Sequence, residues 1–187
     1  MLAITGPSGS GKSTLLKYLA QLQSPNLKTD GEYLFKGQNV MDLDPIKLRQ
    51  DISYCFQSPT LFGETVRDNL QFGYDIRNLD FDEVKAKELL GHVELPTSYL
   101  DKDISTLSGG EKQRVALIRN VQFRPDVLLL DEITSALDAH TQRTILAWLD
   151  TYRKENNVTI VMVSHNENEQ NLADRKIELK KISPRRK

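Results

Sequence analysis

Eight consecutive residues, Gly6-Pro7-Ser8-Gly9-Ser10-Gly11-Lys12-Ser13, carry the pattern G-x-x-x-x-G-K-[ST]. Their types suit the wrapping of a phosphate chain by backbone N–H groups. Glycine lets the main chain come close to phosphate. A helix beginning at Lys12 would add partial positive charge, Lys12 a full charge, and Ser13 a hydroxyl for Mg²⁺. The competing reading of the segment is a Gly/Ser-rich turn. It is preceded by the apolar run Leu2-Ala3-Ile4, which reads as a buried strand, and followed over 12–22 by leucines at 15, 16, 19 and 22 at helical spacing. In that strand-loop-helix setting, nucleoside triphosphate binding is the leading expectation.

Three further sites could complete such chemistry. Asp131 ends the apolar run Val127-Leu128-Leu129-Leu130, and an acid at the end of a buried strand is well placed to meet the Mg²⁺ that Ser13 touches. Glu132 points differently and could polarise a water for in-line attack on a γ-phosphate; alone it reads equally as a surface acid. Leu107-Ser108-Gly109-Gly110-Glu111 precedes a helix and makes a second glycine-rich anion site at a helix N-terminus. His165 follows Ser164 and a β-branched run, where a lone histidine is ordinarily a surface or capping residue.

The elements that must hold these residues are legible in outline. Ser24-Pro25 and Asp30-Gly31 bracket a loop, 32–36 reads as a short strand in a hairpin ending near Val40, and Asp44-Pro45 starts a helix through Gln50. Residues 52–56 form a strand running into Gln57. Helical spacing over 65–72 and 81–93 predicts a small α-helical lobe spanning about 58–107, after which Ser108 opens a helix to about Phe123. The strand 127–130, a helix 138–154 and a strand 158–163 follow. The β-α-β-α-β order implies a parallel sheet, an α/β architecture. Lys180-Lys181 and Pro184-Arg185-Arg186-Lys187 read as a solvated tail.

A net charge of −1 over 187 residues removes any global attraction to nucleic acid. Cys55, the one cysteine, excludes an internal disulfide and reads as core filler. No apolar stretch approaches the ~18 residues of a membrane span, and no basic leader precedes residues 1–4, so any link to a membrane must come through a partner.

Taken together, the motifs resemble the ATP-binding subunit of ABC transporters. The resemblance spans nearly the whole chain, as a single ATP-binding domain over 1–187. Residues 6–13 match Walker A, with Thr14 beside it, and 127–131 match Walker B. Glu132 falls on the catalytic glutamate, Gln57 on the Q-loop, Ser135-Ala136-Leu137-Asp138 on the D-loop and His165 on the switch histidine. Leu107 to Glu111 matches LSGGQ with Glu111 in place of Gln. The resemblance implies a P-loop NTPase core that binds and hydrolyses ATP with Mg²⁺, the metal held by Ser13, Gln57 and Asp131. It implies catalysis by Glu132 and His165, with Asp138 and Gln57 also near the nucleotide. Two copies would face head to tail, as a homodimer in the ATP-bound state, so that Ser108, Gly109 and Gly110 close over the partner's nucleotide. The partner implied is a separate membrane permease, which puts the chain at the cytoplasmic face of the cell membrane. Finer features, Ser53-Tyr54-Cys55, Pro59-Thr60-Leu61-Phe62-Gly63 and Asp131-Glu132-Ile133-Thr134, are most like a branch assigned to iron export, although three scattered histidines and one cysteine form no ligand cluster. Only five residues precede Gly6. The family carries antiparallel strands and an adenine-stacking aromatic there, so the resemblance implies that this N-terminal antiparallel β-subdomain is largely missing. Two alternatives stay open: a soluble ABC-type ATPase, and a nucleotide-binding remnant without turnover.

Overall fold

The computed structural model describes residues 1–23 and 30–181. The expected loop at Ser24-Pro25 and the basic end of the tail at Pro184-Arg185-Arg186-Lys187 lie outside them.

Four apolar or β-branched runs form most of a five-stranded parallel sheet: β1 (Leu2–Thr5), β4 (Ile52–Cys55), β5 (Val127–Asp131) and β6 (Thr159–Val163). A fifth strand, β7 (Arg175–Glu178), pairs with β1 at one edge, and the order is β4-β5-β6-β1-β7. Alternate side chains divide between two faces. Leu128, Leu130, Ile160 and Met162 enter one core with helices α5 (Gly109–Val121) and α6 (Ala139–Asn156). Leu129, Val161 and Val163 enter the other, against α1 (Lys12–Leu19) and α2 (Pro45–Asp51). A parallel sheet covered on both faces must be apolar on both, which is why β5 reads as an unbroken apolar run.

The helical lobe consists of α3 (Val66–Asp75), α4 (Glu83–His92) and two short 3₁₀ turns at Thr97–Asp101 and Ile104–Thr106. Thr65 caps α3 in a reciprocal box with Asp68, while Leu70, Leu90 and Leu100 join the core shared with α5. Opposite, β2 (Leu34–Phe35) and β3 (Gln38–Asn39) form a two-stranded antiparallel hairpin. Its turn, Lys36-Gly37, has positive φ at both residues, as a two-residue hairpin turn requires.

Several elements differ from the sequence reading. α1 stops at Leu19 rather than Leu22: Gln21 turns left-handed at φ 53°, and the Leu22 N–H bonds back to the Lys17 carbonyl at 2.8 Å, closing the helix. The strand expected over 32–36 shortens to two residues because the hairpin turn takes Lys36. β7 and the short helix α7 (Glu167–Gln170) carry no clear apolar period and were not anticipated; all four residues of β7 are exposed, as an edge strand allows. Among the described residues no helix is long and apolar enough to cross a membrane.

Candidate active site

Strands β4, β5, β6 and β1 run the same way, and register aligns their C-terminal ends. Asp131 pairs with Val163, Val163 with Ile4, and Cys55 with Leu130. The segments that follow β1, β4, β5 and β6 therefore emerge along one edge, the usual location of ligand sites in open α/β sheets. Those segments carry residues 6–13, Gln57, Glu132 and His165.

The loop after β1 takes its shape from glycine. Gly6, Gly9 and Gly11 have φ of 133°, 77° and 92°, and a Cβ at Gly6 would meet the Leu179 carbonyl oxygen at 2.3 Å. At Gly9 and Gly11 a Cβ would meet nothing within 4 Å, so there the constraint is backbone conformation and the concave side stays open. Lys12 is 6% exposed and folds its Nζ over the loop, donating to the carbonyls of Gly6 at 2.9 Å and Pro7 at 3.1 Å. Ser10 N–H donates to the Pro7 carbonyl at 3.2 Å, while Ser10 Oγ is buried without a hydrogen-bond partner among the described residues.

Asp131 ends β5, 3% exposed, between two hydroxyls. Ser13 Oγ donates to its Oδ1 at 3.0 Å and Tyr54 OH to its Oδ2 at 2.6 Å. Burial, followed by the hydrogen bond to this carboxylate, pushes the Tyr54 hydroxyl far above its ordinary pKa, so it remains a donor. The sequence reading assigned Tyr54 no role. Strand alternation does mark it as inward-facing, but which inward group it meets depends on the neighbouring strand.

Glu132 leaves the sheet in a left-handed conformation, φ 49°, its N–H still bonded to the Val163 carbonyl at 3.1 Å. Non-glycine residues adopt this conformation at a cost, and such positions cluster at functional sites. Its two carboxylate oxygens are held separately. Gln57 Nε2 donates to Oε2 at 2.9 Å, and His165 Nε2 lies 3.1 Å from Oε1. Gln113 of α5 donates to the Phe56 carbonyl at 3.2 Å and so anchors the backbone beside Gln57.

These groups share a cavity of about 360 Å³, whose lining includes Gly9, Lys12, Ser13, Gln57, Glu132 and His165, with Ser8, Gly11 and Thr14 completing the loop side. Its chemistry fits a polyphosphate. The backbone of the loop, without a Cβ at Gly9 and Gly11, and Lys12 line it from one side, and Glu132 with Gln57 and His165 from the other. Ser13 Oγ and Asp131 Oδ1, 3.0 Å apart, make a hard oxygen pair suited to Mg²⁺.

Ser108, Gly109, Gly110 and Asp138 do not line this cavity. Ser108 caps α5: its Oγ accepts from Glu111 N–H at 3.3 Å, and Glu111 Oε2 accepts from Ser108 N–H at 2.7 Å. That backbone bond, helped by Tyr99 OH at 2.8 Å, lowers the Glu111 pKa to about 2. Ser108 and Gly109 are exposed, leaving the α5 N-terminus facing outward. Asp138 caps α6, accepting from His140 N–H at 2.9 Å and Thr141 N–H at 3.1 Å, and hydrogen bonds from Thr141 lower its pKa to about 2.

The ABC transporter family model matches residues 1–135. Among curated proteins, the chain is 52% identical over 176 residues to the probable iron export ATP-binding protein FetA of Escherichia coli (strain K12), covering 94% of this chain and 77% of that protein. It is 38% identical over 165 residues to ABC transporter I family member 17 of Arabidopsis thaliana, covering 88% of this chain and 62% of that one, less than two thirds of the plant protein. Among solved structures, it resembles the dimeric ATP-binding cassette MJ0796 in a post-hydrolysis state bound to ADP and Pi, with a TM-score of 0.86 at 32% identity over 97% of this chain and 81% of that one. A bacterial Atm1-family ABC exporter with ATP bound matches with a TM-score of 0.82 at 29% identity, covering 97% of this chain and 33% of that one.

Proposed function

The chain belongs to the ABC transporter family as an ATP-binding subunit, and from that premise we propose how its residues bind and hydrolyse ATP and drive a separate membrane permease. The carrying observation is the meeting of Lys12, Ser13, Gln57, Glu132 and His165 around one cavity.

In this reading the backbone N–H groups of residues 8–14 and the Lys12 ammonium hold the β- and γ-phosphates. Ser13, Gln57 and Asp131 would hold Mg²⁺. When bound, the cation neutralises phosphate charge that would otherwise repel a nucleophile. Glu132 takes the proton of the attacking water. The water oxygen bonds to the γ-phosphorus as the bridging P–O bond to the β-phosphate breaks, and ADP and phosphate leave. Gln57 and His165 hold one carboxylate oxygen each, which keeps Glu132 aimed into the cavity without a rotamer search.

Ser108, Gly109 and Gly110 act across a homodimer, on nucleotide held by the partner copy. The exposure of Ser108 and Gly109 at the N-terminus of α5, apart from the chain's own cavity, supports this, as does the dimeric state of a structural relative. The whole of 1–187 acts as one ATP-binding domain, with 58–107 as its helical lobe. ATP closure of the dimer and hydrolytic reopening would move a permease from the cytoplasmic face of the membrane, with nucleic acid playing no part. The iron-export name of the Escherichia coli relative suggests a metal cargo. In this reading the permease selects the cargo.

The test is Mg²⁺-ATP hydrolysis by the wild-type chain beside Glu132→Gln. Hydrolysis in the wild type with a slow variant that accumulates as an ATP-bound dimer is the expected result. Wild-type turnover in Glu132→Gln would remove Glu132 from the mechanism.

A further inference from the structure

Glu169 is 2% exposed and has no part in the chemistry above. It lies in α7, four residues beyond His165. Its Oε1 accepts two hydrogen bonds, from Thr134 Oγ1 at 2.5 Å and from the Gln142 side-chain amide. A buried carboxyl needs such partners, and both are neutral groups rather than cations. Their places in the chain give the arrangement its meaning. Thr134 stands two residues after Glu132, immediately before loop 135–138, and Gln142 lies in the first turn of α6, immediately beyond it. One oxygen from the segment that carries His165 thus ties down both ends of that loop.

The segment itself is well anchored. Asn166 N–H donates to Ser164 Oγ at 2.9 Å, Gln170 N–H to the Asn166 carbonyl at 3.1 Å, and Gln170 Nε2 to the Ser164 carbonyl at 3.0 Å. Between segment and loop lies a second cavity, of about 240 Å³, whose lining includes Glu132, Ser135, Leu137, His165 and Glu169. It shares Glu132 and His165 with the nucleotide cavity, so that pair forms the wall between the two. On its far side the loop reaches α5: a Cβ at Gly110 would stand only 3.1 Å from the Ala136 carbonyl oxygen.

We propose that Glu169 is a positioning residue that makes loop 135–138 and the His165 segment move as one body. The proposal deepens the ATPase reading and rests on it for its consequence: a shift of His165 toward a γ-phosphate is carried through Glu169 to the loop, and through Ala136 against Gly110 to the N-terminus of α5. Contact through packed and hydrogen-bonded groups can transmit such a shift only if the two segments are rigidly joined. Thr134 and Gln142 are the joints.

Amide hydrogen exchange of the full chain without nucleotide tests this independently of turnover. The informative amides are Ser135, Leu137, Asn166 and Gln170, each hydrogen-bonded within its own segment. Glu169→Leu should speed exchange in both segments about tenfold, as expected on losing one or two buried hydrogen bonds, while β1 and β5 keep wild-type protection. Glu169→Gln retains an oxygen that can accept both bonds and should stay within about threefold of wild type. Thr134→Val, which keeps the carboxyl and removes one joint, should loosen both segments to a lesser degree and serves if Glu169→Leu does not fold. Faster exchange spread evenly over the sheet, or confined to one segment, would overturn the proposal. With ATP, Glu169→Leu should lower kcat at least fivefold with KM within twofold, and Glu169→Gln should restore kcat; an unchanged kcat would refute the catalytic consequence. If the wild-type chain showed no hydrolysis while the exchange results held, the ATPase reading would fail and the mechanical link would stand.

Discussion

Replacing Tyr54 by phenylalanine removes one oxygen and leaves the ring, including its edge contact with Phe56 at 4.6 Å between centroids. The lost hydroxyl donates at 2.6 Å to Asp131, in a site where both residues are nearly inaccessible to water, 6% and 3% exposed. A hydrogen bond to a carboxylate contributes about 1.5–3 kcal/mol, and water cannot readily replace a donor at such burial. Tyr54→Phe should therefore lower the unfolding free energy by about 1.5–3 kcal/mol, which in a chain of this size is a fall in Tm of about 3–12 °C. Tyr152 supplies the control. It is 7% exposed and donates at 2.8 Å to the Val121 carbonyl, a neutral acceptor. Tyr152→Phe should cost only about 0.5–1.5 kcal/mol. Urea unfolding without Mg²⁺ or nucleotide, followed by circular dichroism, reads both variants, and the midpoints should move with the m-value unchanged. A loss below about 0.5 kcal/mol for Tyr54→Phe, or a larger loss for Tyr152→Phe, would refute the claim that Tyr54 satisfies Asp131.

Lys12→Ala should abolish binding of ATP measured by calorimetry, because it deletes the one full positive charge of the phosphate loop; unchanged affinity would defeat that assignment. Ser108→Arg should block formation of the ATP-bound dimer in light scattering yet leave ATP binding by the single chain intact, and equal loss of both would argue against a site shared between copies. Glu111 has a pKa lowered to about 2 from 4.5 by its bond to the Ser108 backbone. It therefore contributes stability fully present above about pH 4.5 and lost as pH falls toward 2. Glu111→Gln should flatten the fall in stability across that window, and an unaltered profile would show that this cap does not titrate as described.

Local chemistry made several elements readable. The glycines and Lys12 of the phosphate loop, the serine before α5 and the apolar run of β5 each act on their immediate neighbours, and each lies where its sequence signal puts it. Other features carried no local signal. The end of α1 rests on Gln21 in a left-handed conformation where glycine would have announced it, and β7 is an edge strand of exposed residues with no alternation to betray it. Pairing to β1, rather than the composition of 175–178, holds that strand in the sheet.

The sequence by itself determined which groups are available for chemistry: a phosphate loop, two acids at the end of an apolar strand, a glutamine and a histidine after two others. Those are properties of residue type and of spacing within one element. Only the tertiary structure decided that the four strand ends lie side by side, so that Gln57 and His165 grip opposite oxygens of Glu132, that Tyr54 meets Asp131, and that Glu169 reaches across to Thr134 and Gln142. The reason is that strand order and register are set by burying both faces of the sheet at once, a condition on the whole chain that no single segment carries.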